Sequence, residues 1–218
     1  MPPQQPQNIP YVDIPDDKPA PRKERSESMR GFLSTVGVIG AAILFAMLLT
    51  GFVFQSYQVD GPSMETTLQN GDRLIIWKVD RTIARISGNN YIPNRGDIIV
   101  FVERGFASPD GSTKQLIKRV IGLPGDRVVV KDGTVTVYNK ENPDGFSPDE
   151  TLPYGEDVDL SINPSDEADE NIGPGQLWVM GDNRDNSLDS RAFGPIEAHN
   201  IVGKLVLRIF PVSNAKAF

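Results

Sequence analysis

Ser63 stands in the stretch GPSMETTLQNGD (Gly61–Asp72), where a Gly-Pro turn would hold a hydroxyl in a fixed place. A serine hydroxyl is a weak nucleophile until a neighbouring group takes its proton. The chain has no cysteine and a single histidine, so few bases are on offer. His199 lies in EAHNIVG, with no second histidine and no recognisable orienting motif. A histidine so placed is more often a surface or strand-cap residue than a catalyst. Lysine is the other option, because Ser-Lys pairs follow the same logic as the Ser-His-Asp triad. It serves as a base near neutral pH only where burial lowers its pKa. Lys118 fits, flanked by Leu116, Ile117, Val120 and Ile121 in QLIKRVIGLPGD. Alternation along a strand would turn Lys118 and Arg119 to opposite faces, one buried and the other wet.

A third stretch, GDNRDNSLDSRAFG (Gly181–Gly194), holds more polar side chains than an ordinary turn needs. A calcium loop fails at three places: Arg184 is its third residue, Ser187 replaces the required glycine, and Phe193 stands where a bidentate glutamate belongs. No metal is expected there. The preferred reading has Ser187 hydrogen-bonding the catalytic amine, with Asp189 and Arg191 fixing the loop. A polar loop tied together by Asp189 and Arg191 alone is the plainer alternative.

These residues need a scaffold. The run from Phe32 to Phe54 carries no charge and exceeds the about 20 apolar residues that cross a bilayer. It lacks the polar face of a soluble helix. A cleaved secretory signal fits poorly, because the run continues into Phe52, Phe54, Gln55 and Tyr57 without a small-residue cleavage site. Arg22, Lys23, Arg25 and Arg30 precede it and Arg73 is the first basic residue after it, which puts the N-terminus in the cytoplasm. Residues 1–30, rich in Pro and charge, read as a disordered cytoplasmic tail. Residues 31–55 form the anchor, and 56–218 an outer domain.

That domain reads as mainly β. DRLIIWKV, GDIIVFVE, KQLIKRVIG, QLWVMG and GKLVLRIFP are short β-branched or aromatic runs bounded by turn residues. VVVKDGTVTVY adds a hairpin turning at Asp132-Gly133. No long helical period competes. Residues 131–172 hold twelve acidic residues and two basic ones, and read as a solvated excursion from the core. Shortening Asn142–Asn171 is therefore expected to leave cleavage of a short peptide largely intact. The net charge of −7 argues against nucleic acid as a partner.

In this order, GPSMETTLQNGD, RGDIIVF (Arg95–Phe101), KRVIGLPGD (Lys118–Asp126) and GDNRDNSLDSRAFG, behind an N-terminal anchor, resemble bacterial type I signal peptidase. The resemblance covers the span and nearly all of the outer domain. It implies a mostly antiparallel β-sheet fold and a Ser-Lys endopeptidase with no cofactor. Its partners would be exported preproteins and the lipid bilayer of the cell (inner or plasma) membrane, with cleavage on the outer face. By motif, Ser63 matches the nucleophile, Lys118 the general base, Ser187 the serine that holds the lysine, and Asp189 with Arg191 a structural pair. Lysine rather than histidine at 118 is similar to the bacterial and organellar branch.

Two positions depart from the family pattern. Thr66 stands where proline is usual, so the turn loses a fixed φ. Gly61 stands where some members have a serine hydroxyl in the oxyanion hole, which would leave more of that stabilisation to the Ser63 N–H. The family also implies shallow pockets for small residues and an edge that pairs with an extended peptide. Tyr57, Val59, Asp60, Gly61 and Pro62 on one strand, and Gln115, Leu116 and Ile117 on another, would flank the substrate. Met64, Leu68 and Ile117 would line the pockets, with plain core packing an equal alternative for Leu68. Two rival functions stay open: a catalytically silent tethered binding module, and a self-cleaving repressor of related fold. The intact Ser63, Lys118 and Ser187 set speaks against the first, and a membrane anchor in place of a DNA-binding domain against the second.

Overall fold

In the computed structural model the described residues are 24–107, 113–159, 161–163 and 166–218. Residues 1–23 of the expected tail lie outside them. The chain forms two units, Met1–Phe45 and Ala46–Phe218. The first holds most of helix α1 (Glu24–Leu48), which begins ahead of the uncharged run. From Gly31 to Val53 the chain has a mean hydropathy of 2.4, and none of this segment is buried. A helix that is apolar on every side and covered by nothing in the protein is suited to lipid, where its own backbone bonds satisfy each peptide group.

The second unit opens on the last residues of α1, passes through a short π-helix, Leu49–Val53, and continues as strands. These are β1 (Phe54–Gln58), β2 (Arg73–Trp77), β3 (Ile98–Ala107), β4 (Thr113–Gly122), β5 (Arg127–Lys131), β6 (Thr134–Tyr138), β7 (Ala168–Asn171), β8 (Gln176–Met180), β9 (Ile196–Glu197), β10 (Ile201–Phe210) and β11 (Lys216–Ala217). The large sheet runs β1-β2-β10-β3-β4-β8-β9, with β11 on β10, and a small sheet runs β6-β5-β7. Every strand pairing is antiparallel. The expected β-rich architecture is therefore present. In β2, Leu74 and Ile76 are buried while Arg73 and Trp77 face out, the period-2 pattern of a half-buried strand. The β5–β6 hairpin turns at Asp132 (φ 50°) and Gly133 (φ 77°), and two left-handed residues in succession match the twist of the strands they join.

Two features differ from the expectation. Helix α2 (Val79–Ile86) follows β2 directly, so WKV is a strand end running into a helix. The acidic stretch is also more than a wet surface. Val128, Val130, Val135, Val137, Tyr154, Ile162 and Ile172 form a hydrophobic cluster with Ile121, Trp178 and Met180 of the main sheet. Most of its charges face water, Asp149 excepted, and its small sheet shares a core with the main one.

Candidate active site

Ser63 sits in a single helical turn. Glu65 donates its N–H to the Pro62 carbonyl (2.9 Å), and Leu68 donates to Met64 (2.7 Å). The turn enters through Gly61, whose φ of 103° suits glycine, and passes through Thr66 at φ 89°, a conformation β-branched residues avoid. Gly61 N–H is taken by Asn70 Oδ1 (3.1 Å). No described hydrogen bond uses the Ser63 N–H.

Lys118 projects from β4 with 3% of its surface exposed. Its Nζ donates to Ser63 Oγ at 2.6 Å and to the Ile117 carbonyl at 3.1 Å. Burial disfavours the ammonium and brings the pKa down to about 8, helped by Lys114 and Arg191 and opposed by the carboxylates of Asp189 and Asp182. A serine hydroxyl thus touches an amine that can shed its proton near neutral pH.

The expected wet partner of Lys118 is not wet. Arg119 is 4% exposed, because its guanidinium finds a complete set of partners. It donates from Nε and Nη2 to the two oxygens of Asp182 (2.7 and 2.6 Å) and from Nη1 to the Gly96 carbonyl (2.8 Å). Tyr154, from the acidic stretch, covers it at 4.4 Å. Thr67 Oγ1 donates to Asp182 as well (2.5 Å). Charge-assisted bonds of this kind tie the nucleophile's turn to the Gly181–Gly194 loop. Asn183 completes the clamp, donating its N–H to the Ser63 carbonyl (3.2 Å) and its side-chain amide to that of Pro62 (3.2 Å).

Within that loop Arg191 donates from Nε and Nη2 to Asp189 (2.9 and 2.8 Å), and Asp189 accepts the Gly181 N–H (3.0 Å). Ser187 differs from expectation: its Oγ is buried without a hydrogen-bond partner. The Lys118 amine has turned to Ser63 and Ile117, and Ser187 instead faces Gly181. A Cβ at Gly181 would lie 2.2 Å from Ser187 Oγ and 2.3 Å from the Ser63 carbonyl, so only glycine fits. His199 is exposed, in a short helical turn, and does not line the cleft over Ser63. Its carbonyl accepts from Arg85 (2.8 Å).

A cleft of about 400 Å³ opens over Ser63 and Lys118. Tyr57, Val59, Asp60, Gly61 and Pro62 line one side and Gln115, Leu116 and Ile117 the other, with Leu74 and Val100 beneath. Beyond Arg119, β4 pairs with β3 but not with β8, so its stretch toward Thr113 keeps a free edge along the cleft. Met64 and Leu68 do not line it. They are buried with Leu74, Ile76, Ile98, Val100 and Leu205, because the helical turn points both into the core. Sequence reasoning missed Thr67, Arg119, Gly181, Asp182 and Asn183, and the crowding of polar residues after Gly181 was the one local signal for them.

A serine bonded to a buried lysine of lowered pKa at the floor of a cleft has the parts of a Ser-Lys acyl-transfer enzyme. Comparison with known proteins agrees with that class. Residues 32–210 match the family described as signal peptidase, peptidase S26. Signal peptidase I of Bacillus licheniformis is 31% identical over 89% of this chain and 97% of its own length. Signal peptidase I of Leptolyngbya laminosa is 31% identical over 94% of this chain and 91% of its own. A crystal structure of a signal peptidase I from Enterococcus faecalis V583 aligns with 54% of this chain and all of its own, at 28% identity and a TM-score of 0.37. The chain belongs to the signal peptidase family S26.

Proposed function

We propose that this protein is a membrane-anchored serine endopeptidase that removes signal peptides from exported preproteins. Ser63 is the nucleophile and neutral Lys118 the general base. The observation that carries this reading is the 2.6 Å bond between Lys118 Nζ and Ser63 Oγ in a site that lowers the lysine's pKa to about 8. An extended peptide lies along the free edge of β4, with small side chains against Ile117, Leu74 and Val100. Ser63 Oγ attacks the scissile carbonyl carbon while its proton passes to Lys118 Nζ. The developing oxyanion takes the Ser63 N–H, which no described hydrogen bond uses. The resulting ammonium gives its proton to the departing amine, and the C–N bond breaks. Water then attacks the acyl-enzyme with Lys118 again accepting the proton, and Ser63 is released.

Ser187 Oγ, buried and without a described partner, is free to bond the Lys118 amine during the reaction, and Arg191, paired with Asp189, donates to the Ser187 carbonyl (3.5 Å). The tail lies in the cytoplasm and the cleft on the outer face of the cell membrane. Purified full-length protein incubated with a preprotein is expected to yield mature protein and a free signal peptide, and Ser63→Ala to yield neither. Equal cleavage by Ser63→Ala would overturn the reading.

A further inference from the structure

Helix α2 is inside out. In an ordinary surface helix the apolar stripe faces the protein and the charges face water. Here Arg81, half-buried, donates to the Val202 carbonyl (3.4 Å) and Arg85, although exposed, donates to the His199 carbonyl (2.8 Å), so both guanidinium groups reach back onto the domain. Val79, Thr82, Ile83 and Ile86, spaced i, i+3, i+4 and i+7, form the opposite face. Ile83 is 60% exposed and Ile86 83%.

The same face is fastened beside the end of the apolar run. Thr82 Oγ1 donates to the Phe52 carbonyl (3.3 Å), and Lys78, just ahead of the helix, donates its N–H to the Val53 carbonyl (2.8 Å). Lys78 Nζ also donates to the Thr50 carbonyl (2.8 Å) and to Gln55 Oε1 (3.2 Å). Phe52 is itself 56% exposed, and Trp77, paired with Phe54 across the β1–β2 ladder, is 36% exposed. Four hydrogen bonds thus hold an apolar face, unpartnered among the described residues, next to the last turn of a segment apolar enough to cross a bilayer.

We infer that α2 is an interfacial helix, with Ile83 and Ile86 seated at the headgroup and acyl boundary of the membrane that the anchor crosses. This rests on the reading of Gly31–Val53 as a span. The bilayer is the occupant the geometry selects: where Phe52 and Val53 leave the acyl region, a face hydrogen-bonded to them lies at its edge. Isoleucine there is removed from water, and Trp77 has an apolar body and a polar N–H suited to the same depth. The element also ties the catalytic unit to the membrane at a second point beside the anchor.

The chain contains no cysteine, so Ile86→Cys gives a single site for an environment-sensitive fluorophore. Full-length protein carrying that label is reconstituted into phosphatidylcholine and phosphatidylglycerol vesicles, with and without lipids bearing a nitroxide near the headgroup. Ile43→Cys, within the span, and Lys140→Cys, exposed after β6, are labelled in parallel. The Ile86 label is expected to be quenched about threefold or more, the Ile43 label by a nitroxide deeper in the chain, and the Lys140 label by neither. Quenching at Ile43 without quenching at Ile86 overturns this inference and keeps the anchor, whereas none at Ile43 overturns the anchor itself. Quenching at Lys140 equal to that at Ile86 also overturns it. So does a blue shift at Ile86 that follows protein concentration and ignores the nitroxide, because a second copy of the chain then covers the face.

Discussion

At the scale of single residues, the decisive quantity is the proton on Lys118. An unperturbed lysine is about 0.03% neutral at pH 7, whereas one titrating near 8 is about 10% neutral. Peptide cleavage is therefore expected to rise with pH through a midpoint of about 8, and a limb near the free-lysine value would remove Lys118 from the role of base. Lys118→Ala and Lys118→Arg should both be inactive, since a guanidinium does not give up its proton. His199→Ala should cleave at close to the normal rate. The depressed pKa has a consequence for the fold too: the buried ammonium is a burden that lifts as pH rises from about 8 toward the unfolded value of 10.5. Ser187→Ala separates the site's stability from its chemistry. Removing a buried, unpartnered hydroxyl should leave thermal stability equal or higher, by about 1 kcal/mol or more. Turnover should nonetheless fall, because the neutral amine loses its second support, and unchanged turnover would leave Ser187 without a part in the reaction. At Thr66 the backbone has φ 89°, which a proline ring locked near −65° does not adopt. The turn as built here therefore has no place for a proline at 66. Thr66→Gly should raise the unfolding free energy by about 1 kcal/mol, whereas Thr66→Pro should lose both stability and activity.

Among the elements, the acidic stretch changes most between sequence and structure. Asp149 is buried and paired with Arg184, through Nη2 at 2.7 Å and through Nη1 as well, while Arg184 Nε donates to the Gly181 carbonyl. Asp159 N–H donates to the Asp182 carbonyl (3.0 Å), and Arg191 Nη1 to Asp166 (3.1 Å). The stretch therefore braces the loop that clamps Ser63, and shortening Asn142–Asn171 should abolish activity rather than spare it. The sharper test is Asp149→Ala, which strands a buried guanidinium. It is expected to cost about 3–5 kcal/mol in denaturant unfolding, and replacing Asp149 and Arg184 together by leucine and methionine should recover most of that loss. None of this was legible in the sequence, because a carboxylate buried on an arginine far along the chain leaves no local pattern. The strands were legible, since their apolar alternation is local, and so was the Asp132-Gly133 hairpin, whose two φ angles select those residue types. Helix α2 was not, because eight residues give barely two turns of periodicity and WKV reads on from the strand before it. At the site, Ser63 and Lys118 stood out from their immediate neighbours. Arg119, Asp182 and Thr67 did not, since each is explained only by the other two.

For the molecule as a whole, what matters is how near the chemistry lies to the membrane. Strand β1 starts at Phe54, immediately after the apolar segment, and by Tyr57 the chain already lines the cleft. At about 3.3 Å per residue, the path from Val53 to Gly61 is no longer than about 27 Å. On the proposed reading, a substrate whose own apolar segment sits in the bilayer would meet the cleft within about that distance of the lipid. That geometry serves export only if the cleft and the emerging preprotein are on the same side. The basic residues carry the proposed orientation: four of them, Arg22, Lys23, Arg25 and Arg30, precede the span, while the first after it is Arg73. Such a bias is retained in the cytoplasm, which is why the reading proposed above puts everything from Gln55 onward outside. Protease added to right-side-out vesicles should accordingly digest the β-sheet unit and spare an epitope fused to the N-terminus. Inside-out vesicles should give the reverse, with the epitope lost and the β-sheet unit protected. Protection of the unit in right-side-out vesicles, with digestion after detergent is added, would place the cleft in the cytoplasm and end the case for a peptidase of exported proteins.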